Sequence, residues 1–390
     1  MARSTPAVTA VDPAKLAAWR ARRQHIEPPA AKGQLEQVAT DLVGIQAQVP
    51  SSAALSLAVR IRDGRVSDPP KAVAERRLVR AWGQRGTLHL WAADDFPLIV
   101  AALGQRETWR RPVWFRYFGV TEAEMEALIE AVGDILGDGR PRSRGELAAE
   151  IGDRLGPKQA ENLGGSWGTY LKPAAMRGLL CQAAGEGNAV TFTRPDVWLG
   201  RWRTVDPNEA LVTVVRRYLR AYGPASKQEI ARWWGNAVVT LKPALTALAD
   251  ELVEIEASGV RGLFLRGELE HVNAQRPDPE PRFLGPFDPL TVGIGRRDWF
   301  LPPAHTTRVS RTAGWISPIV LLGGRVSGVW TGRTNGGTFE LTVDLFDGSS
   351  SDLKRRLATA AERVASAHQA SLKLSYGPVY ATASVPTEEA

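Results

Sequence analysis

The feature that most constrains how this chain can fold is an internal echo. Ser143-Arg144-Gly145-Glu146-Leu147-Ala148 returns as Ser226-Lys227-Gln228-Glu229-Ile230-Ala231, and Leu171-Lys172-Pro173-Ala174 returns as Leu241-Lys242-Pro243-Ala244. A serine followed three residues on by glutamate is a capping box that opens a helix. In both copies another helix should follow. Two short strands come next, near Leu179 to Gln182 with Ala189 to Thr193, and near Leu252 to Glu256 with Gly262 to Arg266. The order helix, helix, helix, hairpin is that of a winged helix-turn-helix. A spacing of roughly eighty residues is one whole domain per copy, not the short period of a solenoid.

The N-terminal part reads in the same order. Residues 1 to about 10 look like a loose leader, and Asp12 caps a basic amphipathic helix ending near Arg23. Leu35 to Ile45 gives a second helix, stopped by Pro50, which disfavours the helical region at Val49. Ser51-Ser52 can cap a third helix, and Asp68-Pro69-Pro70 starts a further helical turn. Leu78 to Trp82 and Thr87 to Trp91 read as strands around the turn residues Gly83 to Gly86, and Asp94-Asp95 caps the helix that leads away. Beyond a Pro-rich linker from His271 to Arg282, short strands (Ile316 to Leu322, Arg325 to Trp330, Thr338 to Leu345) precede an amphipathic helix from Asp352 to Ser371. The expected class is therefore α+β: three tandem winged-helix units and a C-terminal β-rich domain. The boundaries fall at residues 1–105, 106–203, 204–270 and 271–390.

Composition narrows the chemistry. A net charge of +7 and a pI near 9.7 favour an anionic partner, although a modest arginine excess also serves solubility. The single cysteine, Cys181, excludes a disulfide framework and any thiolate metal cage, and the five histidines show no ligand spacing. No metal or cofactor is expected. No run of eighteen apolar residues is present, so the expectation is a soluble cytoplasmic protein without membrane contact. Three fused winged-helix units make dimerisation unnecessary, and a monomer is expected.

Two stretches stand out as candidate sites. In Ile45-Gln46-Ala47-Gln48-Val49 an extended backbone would project both carboxamides to one side. Two amides can hold one water in a chosen orientation, or they can simply cap carbonyls of the preceding helix. Trp109 to Phe118 is dense in aromatic and basic residues. It could stack on bases or anchor the junction between the first and second units.

Several blocks together resemble the AlkZ/YcaQ-like bacterial DNA glycosylases: Leu42 to Pro50, Leu78 to Leu90 with Arg85-Gly86-Thr87-Leu88-His89, Phe287-Asp288-Pro289, and Ile319 to Trp330. After Phe287-Asp288-Pro289 the sequence Leu290-Thr291-Val292-Gly293 departs from the aromatic-rich pattern of that family. The resemblance implies tandem winged-helix units and a functional Gln-any-Gln motif. Carried over residue by residue, that motif is Gln46 and Gln48, the AlkZ type as opposed to the Gln-any-Asp of the YcaQ type. It further implies hydrolysis of the N-glycosidic bond of alkylated or bulky-adducted purines in double-stranded DNA, with unhooking of interstrand crosslinks and self-resistance as associated roles. A guanine alkylated at N7 is already cationic and leaves as a neutral base, so little acid help is needed. What remains is to meet an oxocarbenium-like sugar with a positioned water. Arg85 and His89 could grip a phosphate or probe a groove, or His89 could be a half-buried strand residue bonded to backbone. Arg110, Arg111 and Arg116 are further candidate phosphate contacts. A winged-helix transcriptional regulator without catalysis would explain the fold and charge but would not require the glutamine pair. The third copy carries Glu251, Glu254 and Glu256 where a DNA-facing wing would want arginine, so not every copy need face DNA.

Overall fold

The capping boxes of the repeat, at Ser143 and Ser226, form as read, and Thr121, outside the repeat, forms another. Thr121, Ser143 and Ser226 each accept a hydrogen bond from the backbone N–H of the glutamate three residues on, and that glutamate reaches back to the cap. They open the helices Glu122–Ile135, Arg144–Leu155 and Lys227–Trp234. In both Leu-Lys-Pro-Ala echoes the leucine closes a 3₁₀ turn, Thr169–Leu171 or Val238–Leu241. The lysine then begins a short helix, Lys172–Met176 or Lys242–Ala247, with proline in the first turn, where its missing N–H costs no helical bond.

The computed structural model describes residues 8–104, 107–166, 168–184, 189–294 and 298–379 of the 390. The first seven residues of the expected leader, the boundary at 105/106 and the tip of the second hairpin lie outside them. Helices and strands are interleaved throughout the described residues, an α+β protein. The hairpins are Leu78–Trp82 with Leu88–Ala92, Cys181–Ala184 with Val190–Thr193, and Leu252–Ala257 with Val260–Leu265. All are antiparallel, and all sit close to where alternating apolar residues and turn glycines place them.

Their sheets do not stay within one copy. The first and second hairpins join through Arg80 opposite Gln182. Ile45–Gln46 extends this sheet beyond Leu88–Ala92, and Arg142–Ser143 extends it at the other edge, giving a six-stranded sheet. Trp82 stacks on Phe192 across the join, with centroids 6.2 Å apart. The third hairpin instead pairs with the start of the chain: Thr9–Ala10 lies parallel to it, Thr9 opposite Ile255. Residues 9 and 10 are thus a strand and not a loose leader. The helix Pro13–Arg23, capped by Asp12, then buries Trp19 edge-on against Phe264 at 4.8 Å. The Trp19 indole donates to Glu268 Oε2 at 2.9 Å, and Glu268 also takes Arg23 and Arg220.

Several local expectations are corrected. The second helix is Leu35–Asp41, because Val43 and Gly44 adopt φ of 54° and 86° and reverse the chain before Gln46. Gly44 is obligatory there, since a Cβ would lie 2.1 Å from the Trp91 indole nitrogen. The third helix, Pro50–Ala58, is entered through Val49 and Pro50, so Ser51 and Ser52 lie in its first turn and do not cap it. His271 belongs to a short helix, Leu269–Asn273, and only the residues after it form a linker. The C-terminal sheet runs in the order Arg282–Leu284, Ile319–Leu322, Arg325–Asn335, Thr338–Leu345, Ser371–Tyr376. Its closing helix is Ser351–Ala367, which ends before Ser371 because the last strand begins there, parallel to Thr338–Leu345.

One buried ion pair ties the C-terminal part of the chain to its N-terminal part. Arg60 and Asp288, both fully buried, meet in a bidentate pair with both N–O distances 2.7 Å. Two further Arg60 donors go to the carbonyls of Gln24 and Ser56, and Asp288 also accepts from Leu290 N. With four of the five guanidinium hydrogens and both carboxylate oxygens bonded, the pair is tolerable. Removing one partner would strand a charge.

Candidate active site and nucleic-acid interface

The two glutamines lie where the chain leaves the reversal at Val43-Gly44. Gln46 pairs with His89 on the hairpin strand Leu88–Ala92, and the Ala47 N–H donates to Leu88 O at 2.7 Å. Ala47 is buried, while Gln46 is half-buried and Gln48 exposed. The loop is held by bonds to its backbone. Gln84 donates to Val43 O, Arg80 to Ala47 O at 2.8 Å, and the Tyr222 hydroxyl to Leu42 O at 2.9 Å. Burial pushes the Tyr222 phenol up, so it remains a protonated donor. Tyr222 belongs to the helix Pro207–Tyr222 of the third copy, so that copy buttresses a loop of the first.

Both amides are oriented by donors. Arg85 Nη2 donates to Gln46 Oε1 at 3.0 Å, and the Leu88 N–H donates to Gln48 Oε1 at 3.3 Å. Each carbonyl oxygen keeps its second lone pair, and each amide keeps its NH₂ hydrogens. Neither amide caps the helix before it, because that helix ends at Asp41. An amide so oriented has atoms left with which to hold a water, but it cannot take the water's proton.

The other candidates sort by their surroundings. Arg85 points inward, and its Nη1 donates to Trp233 O at 2.7 Å. Burial holds its guanidinium below the usual arginine range. His89 is 1% exposed, stacks on Trp91 and lies 3.0 Å through Nδ1 from Thr87 O. It is a buried strand residue, and this conformation presents no face of it to a groove. Arg110 is engaged by Glu107, Glu122 and Glu126 and packs over the Trp109 ring at 4.7 Å. That network satisfies the guanidinium from within. Arg111 and Arg116 are exposed.

The aromatic stretch is divided in the same way. Trp109 and Phe118 are buried in the core of the second copy, whereas Tyr117 is 79% exposed on the short helix Pro112–Phe118. Anchoring is what most of its rings do.

A cleft of about 350 Å³ opens beside Arg85, lined by Gly86, Trp109, Arg111, Trp114 and Lys172 among others. It collects cations from the first and second copies. Lys172 is visible in the sequence only as the lysine of Leu-Lys-Pro-Ala, and folding brings its Nζ to within 3.7 Å of a Cβ placed on Gly86. Burial lowers its ammonium from the usual lysine range. Among the described residues no group of histidine, cysteine or carboxylate side chains could hold a metal, and no helix is long and apolar enough to cross a membrane.

Known proteins share this architecture. The family model described as DNA glycosylase AlkZ-like matches residues 39–367. A Streptomyces sahachiroi protein described as an interstrand DNA cross-link repair glycosylase is 38% identical over 321 residues, covering 80% of this chain and 86% of that one. The solved structure of the Streptomyces sahachiroi DNA glycosylase AlkZ superposes with a TM-score of 0.85 at 34% identity, over 93% of this chain and 98% of that one. A match across most of the chain, with a relative at this identity, makes the protein a DNA glycosylase belonging to the AlkZ-like family.

Proposed function

We propose that this enzyme is a monofunctional, monomeric glycosylase that releases N7-alkylated or bulky-adducted purines from double-stranded DNA, with Gln46 and Gln48 holding the attacking water. The observation that carries this reading is that both amides are oriented by donors, one of which, Arg85, also lines a cationic cleft. A cationic leaving base departs without protonation. The glutamines then need only place water against the developing oxocarbenium sugar and face it with carbonyl oxygens. Phosphates would be met by Arg111, Arg116 and Lys172. Arg110 is less suited, because its carboxylates would first have to release it.

The fold is read as three winged-helix units with a β-rich C-terminal domain, the first two supplying the cleft's cations and the third adding Gly235 to its wall and supporting the glutamine loop. The open cleft suits a lesion too bulky to extrude into a closed pocket, which most base-excising enzymes require. The Streptomyces relative described for cross-link repair supports extending the substrate range to interstrand crosslinks. A regulator without catalysis is not favoured, since it gives no reason for two oriented amides.

The test is substrate range. Duplexes carrying N7-alkylguanine, an interstrand crosslink through two such guanines, or a neutral O-alkylated base are incubated with the enzyme. The reading expects free modified base from the first, separated strands from the second and no release from the third. Excision of the neutral lesion at a comparable rate would require an acid that the glutamine pair does not supply.

A further inference from the structure

A carboxamide can be turned by 180° with little change in shape, and a catalytic amide facing the wrong way offers hydrogens where oxygen is needed. Gln46 has a neighbour that removes this freedom. Arg85 carries only donors, so it accepts the carbonyl end of Gln46 and repels the NH₂ end. The bond is charge-assisted, and one end of the guanidinium fork is fixed elsewhere, on the Trp233 carbonyl of the third copy at 2.7 Å.

The backbone is arranged for this. Arg85 has φ of 55°, a conformation that a residue with a side chain adopts only where its surroundings hold it. It sits in a tight turn in which Gly86 N donates to Gly83 O at 2.8 Å and Gly83 N to Thr87 O at 2.9 Å. Glycine would occupy this position without strain, so the side chain is kept against the preference of the turn. The left-handed residue aims that side chain inward at Gln46 and not outward from the hairpin tip.

We infer that Arg85 is a positioning residue for Gln46, locking the orientation of its amide and bracing that lock against the third copy, and is not a phosphate contact. This inference rests on the reading of Gln46 as a water-holding residue. It gives the third copy a part in the reaction without contact with substrate.

The test is single-turnover release of N7-methylguanine from a duplex, with affinity measured across a salt series. The variants are Arg85→Ala, Arg85→Lys, Gln46→Ala and the Arg85→Ala/Gln46→Ala double. Arg85→Ala is expected to lower the rate about tenfold or more, as misplacement of a reacting group does. Affinity and its salt slope should stay unchanged, Arg85→Lys should recover part of the rate, and Arg85→Ala should cost nothing further once Gln46 is alanine. A raised Kd and a salt slope reduced by about one, with the rate intact, would make Arg85 a phosphate contact and overturn the inference. Losses that multiply in the double variant would also overturn it. A full rate for Gln46→Ala alone would instead overturn the catalytic reading beneath it. Should Arg85→Ala fail to fold, Arg85→Lys carries the test, because one ammonium cannot reproduce the fork between two acceptors. A rate loss erased in the Gln46→Ala background then has the same meaning.

Discussion

The second and third copies of the repeat share the same capping box and the same Leu-Lys-Pro-Ala, yet they are put to different uses. The second copy adds its hairpin to the sheet of the first through Arg80 and Gln182, which brings Lys172 to the cleft beside Arg85. The third adds its hairpin to the strand Thr9–Ala10, leaves Lys242 exposed, and contributes Tyr222 and Trp233 to the back of the glutamine loop. Equal local sequence thus specifies equal local structure. Chemistry depends on which neighbour each hairpin meets.

That contrast can be broken in several ways. The largest effect should follow Trp19→Ala, which empties the space against Phe264 and leaves Glu268 without its indole donor. A cost of about 3–5 kcal/mol is expected for removing a buried tryptophan. Hydrogen exchange should place the loss in 252–265, with 181–184 and 190–193 still protected; equal loss in both hairpins would mean the copies are not independently closed. The capping serines should behave alike, Ser143→Ala and Ser226→Ala each lowering stability by about 1 kcal/mol in denaturant unfolding. A clear inequality would show that the caps are coupled to the different sheets.

The lysines should separate where the serines do not. Lys172→Ala is expected to weaken DNA binding about threefold and to reduce the salt slope by about one, while Lys242→Ala leaves both nearly unchanged. Matching effects would place the third copy on DNA. The smallest effect concerns pH. Amides do not titrate, so the excision rate should be flat from about pH 6 to about pH 8. Burial lowers the Lys172 pKa, so its cation is present below that depressed value and is lost as pH rises through it. DNA affinity should therefore begin to fall at a lower pH than for an ordinary lysine contact, and Lys172→Met should abolish that early fall. A bell-shaped excision rate would point to an ionising catalyst.

Much of this was legible in the sequence because it is local. Capping boxes declare helix starts, and Gly83 to Gly86 between two apolar runs declares a hairpin. What escaped is non-local or too short to have a period. Thr9–Ala10 is a strand of two residues whose only cause is an open edge more than two hundred residues away. The pairing of Arg60 with Asp288 joins distant segments, each unremarkable by itself. Within the site, the glutamine motif was readable as a pattern, but the direction of Arg85 follows from one left-handed backbone angle that the sequence does not announce. Arg110 and Arg111 are adjacent and chemically identical in sequence; three carboxylates supplied by folding divide them. His89 looked like a candidate because histidine is versatile, and its strand turns it inward onto Trp91.

On the proposed reading the two amides perform the chemistry and not the binding. The most direct measurement of this is single-turnover excision from an N7-alkylguanine duplex by wild type and by the Gln46→Ala/Gln48→Ala double variant, at enzyme concentrations saturating for both. Water positioning by the amides predicts an unchanged Kd with a rate reduced by about a hundredfold or more, the scale seen when an oriented polar group is removed from a reaction centre. An unchanged rate at saturation, or a loss confined to affinity, would contradict it.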